Sequence, residues 1–356
     1  MLKLFSKNYN FITSELTEFS KKEKRPDLDR SKFTSRIKSA LALGFKEKEI
    51  FFFGFLQLLA IMTGYAIWLQ ALNWIPQETW NEIQHCIDRG EDDCSVMVDL
   101  SLYLWGLVVI IIVSFPVGIL SCAIGTTHFL YTQKEESTVF KCLNAAFSNA
   151  WPIWKFHIID SYITVNRIIQ RLPSKNDHRT PAQIILQEAA YYAWKVGTAG
   201  MIPSLILGNK LITSGRLSVK FTKSKFKEVA ALRAAYSSLC WIVAITSYIG
   251  AIFLNMIFEQ ELTVETGNIA IGTFYIYMMV PICVATMCVV VILRPIYILS
   301  ICNIYDDYLK EENEKAELPN NPSKGRSALI TFIMLSVIMI FLSTFGMELG
   351  LDKYFR

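Results

Sequence analysis

Five runs of this chain are almost wholly apolar: Ile50 to Leu72, Leu100 to Ala123, Ala235 to Phe258, Ile269 to Leu293 and Ala328 to Met347. None holds an Asp, Glu, Lys or Arg. Each comes near or exceeds the roughly 20 residues that carry a helix across a hydrocarbon core. A charge at the middle of such a helix costs about 2.5 to 3.5 kcal/mol on insertion scales, and a soluble core rarely avoids charge over such lengths. The chain is 53% hydrophobic with a mean hydropathy of +0.34, and that excess is concentrated in these runs. The expected fold is all-α: a polytopic transmembrane bundle of at least five spans, with amphipathic interfacial or cytoplasmic helices beside it.

The bases set the orientation. Residues 1–49 hold twelve Lys/Arg against seven Asp/Glu, and residues 134–234 hold fifteen against six. Both stretches belong in the cytoplasm by the positive-inside rule. The loop 73–99 has Arg89 as its single base among seven acids, and Glu259, Glu261 and Glu265 lie in a second loop without a base. Both therefore belong outside. The segments follow in order: a cytoplasmic N-terminal region (1–49), a first pair of spans (50–131) and a cytoplasmic or interfacial region (132–234). A second pair of spans (235–293), a charged cytoplasmic loop (294–327) and a last span with a short tail (328–356) complete the chain. The expected location is an inner membrane of bacterial type, N-terminus in the cytoplasm.

Two segments outside the spans show helical periodicity. Leu2, Phe5, Tyr9, Ile12, Leu16 and Phe19 recur at spacings of three and four, which is one face of a helix and not the continuous core of a removable signal. A second helix is expected from Asp29 to Leu43, stopped by Gly44. From Phe140 to Leu172 an aromatic-rich stripe runs for over thirty residues and breaks near Pro152, with Trp151 and Trp154 near its centre. That pattern suits a helix lying at the membrane surface or one packed against its neighbours.

Residues 189–207 would make another span but for Lys195 and the breakers Gly197, Gly200 and Pro203. Such a segment is a broken or re-entrant helix, or lies flat with Lys195 reaching the headgroups. An intramembrane lysine needs a partner or water, and Glu188 lies seven residues earlier near the same face. Lys195 and Glu188 are therefore the candidate functional pair. Beyond them Arg216, Lys220, Lys223, Lys225 and Lys227 form a basic run, read as a membrane-surface patch or plain topogenic charge.

Cys86 and Cys94 both fall in the outside loop, where a disulfide can form; closing a loop of that size stabilises by about 2.6 kcal/mol on the chain-entropy model. The other six cysteines read as small apolar packers. No zinc, haem, nucleotide or nucleophile motif is present, so no cofactor is expected. Asp306 and Asp307, in Asn303-Ile-Tyr-Asp-Asp-Tyr308, are the one weak metal candidate, able in principle to hold Mg²⁺ for a phosphate-bearing lipid.

Four stretches carry a resemblance: Phe45-Lys-Glu-Lys-Glu-Ile-Phe-Phe-Phe53, Thr126-Thr-His-Phe129, Ser137-Thr-Val-Phe-Lys-Cys-Leu-Asn-Ala-Ala146, and Trp194-Lys-Val-Gly-Thr-Ala-Gly-Met-Ile-Pro203 before a basic helix. Over residues 35–295 the chain resembles an uncharacterised family of prokaryotic polytopic membrane proteins. The resemblance implies no reaction, since that family's function is undefined.

Three kinds of function follow. A transporter- or channel-like protein is favoured by the broken segment with Lys195 and by Pro116 and Pro281 within spans, since discontinuous helices often frame transport sites. A scaffold or assembly factor would use the amphipathic helices to hold a protein partner or a second copy. A lipid-modifying enzyme would rest on Asp306 and Asp307. Membrane lipids are the expected partners throughout, and no nucleic-acid reading module is present.

Overall fold

The computed structural model describes residues 30–70, 96–171, 181–257, 280–314, 316–319, 325–331 and 334. The N-terminal periodic stripe, the acidic loop with Cys86 and Cys94, and most of the last apolar run lie outside the described residues. Among the described residues every regular element is helical.

The helices are α1 (Arg30–Lys46), α2 (Lys48–Gln70), α3 (Val96–Thr132), α4 (Val139–Ser148), α5 (Ala150–Arg171), α6 (Pro181–Gly197), α7 (Met201–Ile206), α8 (Leu211–Ser224), α9 (Phe226–Ile257) and α10 (Val280–Glu311). Four of them, α2, α3, α9 and α10, contain stretches long and apolar enough to cross a membrane. They correspond to the first four apolar runs.

Exposure divides the bundle into two zones along these four helices. In one, apolar side chains face outward: Phe52, Phe55 and Leu59 of α2, Leu104, Ile111 and Ile112 of α3, Leu239, Trp241 and Ile245 of α9, and Ile282, Met287 and Ile292 of α10. A water-exposed surface seldom carries so continuous an apolar belt, whereas lipid favours it. In the other zone the same rods go inside: residues 118–130 of α3 and most of 298–309 of α10 are buried beneath α1 and α4–α8.

Close backbone approach holds α2 against α10. An added Cβ on Gly54 would lie 2.9 Å from the Val291 carbonyl oxygen and 3.1 Å from its Cα. In lipid, where apolar burial drives helices together little, such contact is a main source of cohesion. Val291 lies in a π turn, Val289–Leu293, where the Arg294 N–H reaches the Val289 carbonyl. The cause is Pro295, which has no N–H for the Val291 carbonyl and whose ring would crowd that oxygen in a regular helix.

The stripe from Phe140 to Leu172 divides at Asn149, just before Pro152. Pro152 stands in the first turn of α5, where its missing N–H costs nothing. Thr138 caps α4 by accepting from the Lys141 N–H, and the Asn149 side-chain amide donates to the carbonyls of Leu205 and Asn209 at 2.8 and 3.0 Å. Phe147, Ile153, Phe156 and His157 are buried, and Phe115 of α3 meets both Phe147 and Trp154 edge-on. The stripe is thus largely a packing face, with Phe140 and Trp151 left exposed. Helix α1 also departs from expectation: it runs past Gly44 to Lys46, and the Glu47 N–H still bonds the Leu43 carbonyl at 2.9 Å.

Candidate functional site

The segment 189–207 is a broken helix. Helix α6 ends at Gly197, residues 198–200 turn, and α7 resumes at Met201. The orphaned carbonyls at the end of α6 are met from α8: Ser218 Oγ donates to the Gly197 oxygen at 2.7 Å and Thr222 Oγ1 to that of Val196 at 3.0 Å. Gly200 permits this, since a Cβ there would lie 3.0 Å from Ser218 Cα and 2.8 Å from the Phe221 ring.

Lys195 is in the last turn of α6, facing α5. Its Nζ lies 2.6 Å from Asp160 Oδ1, and Trp194 Nε1 donates to the same oxygen at 3.2 Å. Glu188 does not serve Lys195; it pairs with Arg167 of α5, whose guanidinium also stacks 3.8 Å over the Tyr191 ring. The two candidates from the sequence thus share one helix and one opposing helix, with separate partners.

Beside the Lys195–Asp160 pair lies a cavity of about 400 Å³ between α3, α5, α6, α9 and α10. Two further cations line it. Arg294, set just beyond the π turn, donates through Nη2 to Ser121 Oγ at 3.1 Å, and that hydroxyl also accepts from Gln57 at 3.1 Å. Arg233 lies 5.3 and 5.8 Å over the rings of Tyr236 and Tyr297, and its Nε is buried without a hydrogen-bond partner. Tyr191, Tyr236 and Tyr297 line the same space, as do Val117, Ile202 and Ile298. His157 adds a buried Nε2 that has no hydrogen-bond partner.

Counted formally, Lys195, Arg233 and Arg294 face the single carboxylate of Asp160. Burial would push the Asp160 carboxyl up, but the charge and hydrogen bond of Lys195 outweigh it and leave the pKa at about 2. Burial lowers the His157 imidazole to about 3, with Arg294 adding to the effect, so it is neutral at pH 7. A preformed, partly desolvated group of cations in excess of carboxylate is suited to holding an anion.

No family model, curated protein or solved structure matches this chain.

The remaining sequence candidates lie elsewhere. Asp306 pairs with Lys310 at 2.6 Å, and Asp307 with Arg36 at 2.9 Å and with Lys310 at 3.9 Å, so both carboxylates are already engaged by cations. In the basic run, Lys220 reaches Glu312 at 3.1 Å and Lys225 reaches Glu311 at 2.5 Å, tying α8 and its following turn to the acidic end of α10. Arg36 of α1 pairs with Glu228 as well as Asp307. Sequence reasoning missed Asp160 and His157 as site residues, and singled out neither Arg233 nor Arg294 for the site. The one available signal was that Asp160 is a lone acid within an aromatic-rich helical stripe.

Proposed function

We propose that this protein is a transporter- or channel-like integral membrane protein that binds an anion in the cavity between α3, α5, α6, α9 and α10. The observation that carries the reading is the convergence of Lys195, Arg233 and Arg294 on one cavity against the lone carboxylate of Asp160. The broken α6–α7 segment adds support, because discontinuous helices commonly frame translocation sites. The membrane is of bacterial inner-membrane type in this reading, with the end bearing Lys48, Thr132, Phe226 and Glu311 toward the cytoplasm.

Proteoliposome flux tests it. Radiolabelled phosphate and sulfate uptake, with phosphatidic acid flip-flop followed in parallel, should exceed protein-free vesicles and fall on Arg233→Gln. Equal movement of all three with and without protein would sink the transport reading.

A scaffold role is the second reading, favoured by the exposed Phe140 and Trp151 on α4 and α5. It predicts that Trp151→Gln, not Arg233→Gln, abolishes function in cells. Asp306 and Asp307, both ion-paired, offer no open carboxylate pair on which a lipid-modifying enzyme could hold a metal.

A further inference from the structure

The anion-binding reading leaves the ligand unnamed, and the cavity's charge, size and height in the bundle narrow it. Three cations less one carboxylate leave a formal excess of two positive charges. A carboxylate ligand would neutralise one of them, whereas a phosphate monoester carries about −1.5 to −2 near neutral pH. Guanidinium groups such as those of Arg233 and Arg294 can each take two oxygens of such a group, and Lys195 can supply a point charge. His157 Nε2 and Arg233 Nε are polar atoms already buried there without partners.

A volume of about 400 Å³ falls in the range of about 300 to 1,000 Å³ that encloses an organic molecule, larger than a bare ion needs. Much of the wall away from the cations is apolar, with Val117, Ile202 and Ile298 among its residues.

Height in the bundle gives the third constraint. Arg294 follows exposed Ile292 by two residues, Arg233 precedes exposed Leu239 by six, and Val117 follows exposed Ile112 by five. The cavity therefore lies within one or two helical turns of the outward-facing apolar belt. A ligand whose charged end sits among the cations has apolar surface close by.

We propose that the cavity takes a phosphate-ended amphiphile: a phosphomonoester held by Lys195, Arg233 and Arg294, with its apolar body against Val117, Ile202 and Ile298. This rests on the anion-binding reading above and adds to it the chemical class of the ligand.

The test uses the full chain in phosphatidylcholine nanodiscs and reads bound ligand by native mass spectrometry and the thermal unfolding midpoint. Four arms are compared: phosphatidic acid doped into the disc, inorganic phosphate added to the buffer, oleate doped into the disc, and phosphatidylcholine alone. Phosphatidic acid should bind and raise the midpoint, with inorganic phosphate and oleate weaker by about tenfold or more. Lys195→Met and Arg233→Gln should each weaken phosphatidic acid by about tenfold, while Arg233→Lys, which keeps the charge but not the two-oxygen grip, should fall between Arg233→Gln and the native chain. Inorganic phosphate binding as tightly as phosphatidic acid would overturn the amphiphile and leave the anion site standing. Oleate binding equally would overturn the phosphate assignment. No anion bound above the phosphatidylcholine baseline would overturn the site altogether, as would phosphatidic acid binding unchanged in both charge-removing variants.

Discussion

Lys195 and Asp160 join α6 to α5 across 2.6 Å, and Arg167 and Glu188 repeat the crossing seven residues further along α5 and seven back along α6. Equal steps in opposite directions mean that the two helices run antiparallel in one register, and two ion pairs pin it. The pair nearer the cavity joins groups whose side chains are only 12% and 23% exposed, so removing one partner leaves the other charge largely without water.

Lys195→Met should therefore lower stability by about 3 kcal/mol, the lower end of what breaking a buried pair costs. Asp160→Asn should cost a similar amount, since it leaves the Lys195 cation without its carboxylate, and Asp160→Asn/Lys195→Met should recover much of the loss. Unfolding midpoints of the two single variants and the double variant in detergent form the cycle. Strict additivity would mean that the pair is not coupled.

His157 gives the protein a pH dependence whose sign is fixed. Its imidazole is lowered to about 3 in the fold and returns to about 6.5 when unfolded, so between those values the unfolded chain binds more protons. Stability is full above about pH 6.5 and is lost as the pH falls toward 3; from pH 7 to 5 the loss is about 2 kcal/mol. Asp160, held at about 2, adds a second loss only in stronger acid, from about pH 4 downward. Chemical denaturation at pH 7 and 5 should include the His157 step, and His157→Gln should reduce the difference between the two by that step.

Gly54→Ala should destabilise by about 1 to 3 kcal/mol, because the new methyl meets the backbone of Val291, which cannot swing aside as a side-chain tip would. Gly215→Ala is the control: nothing lies within 4 Å of its added Cβ, and alanine favours the helix interior by about 1 kcal/mol. Opposite signs in the two unfolding midpoints are expected.

In a cysteine-free background, Lys134→Cys and Glu312→Cys should react with a membrane-impermeant thiol reagent from the cytoplasmic face only. Both positions are exposed at the same end of the bundle. Ser204→Cys, on the fully buried Ser204, should stay protected from either face. Labelling of Lys134→Cys from the outer face would invert the proposed orientation.

The helical class and the first four long apolar helices were legible in the sequence, because charge-free runs of that length have few other solutions. The break after α6 was legible too, from Gly197, Gly200 and Pro203. Its consequence was not. Asp160 stands 35 residues before Lys195, and only the antiparallel pairing of α5 with α6 brings them together. Arg233 and Arg294 each sit where a run of apolar residues meets charge, and periodicity alone cannot separate a topogenic base from one that turns inward. Glu188 shows the same limit from the other direction: seven residues is two turns of the right helix, yet Arg167 across the hairpin claims the carboxylate.

The π turn at Val289–Leu293 puts one spare residue into α10. A single residue advances an α-helix by about 100°, so that insertion sets the azimuth of everything downstream against everything upstream. The outward belt of Ile282, Met287 and Ile292 and the inward row of Arg294, Tyr297 and Ile301 owe their relative facing to it. Deleting Val290 would shift the register across the turn by one residue and rotate Arg294 off Ser121, leaving a rod of nearly the same length and composition with its cation aimed elsewhere. The addressing of charge toward the cavity is in this sense encoded by a residue count, and an insertion or deletion there would act more severely than most substitutions.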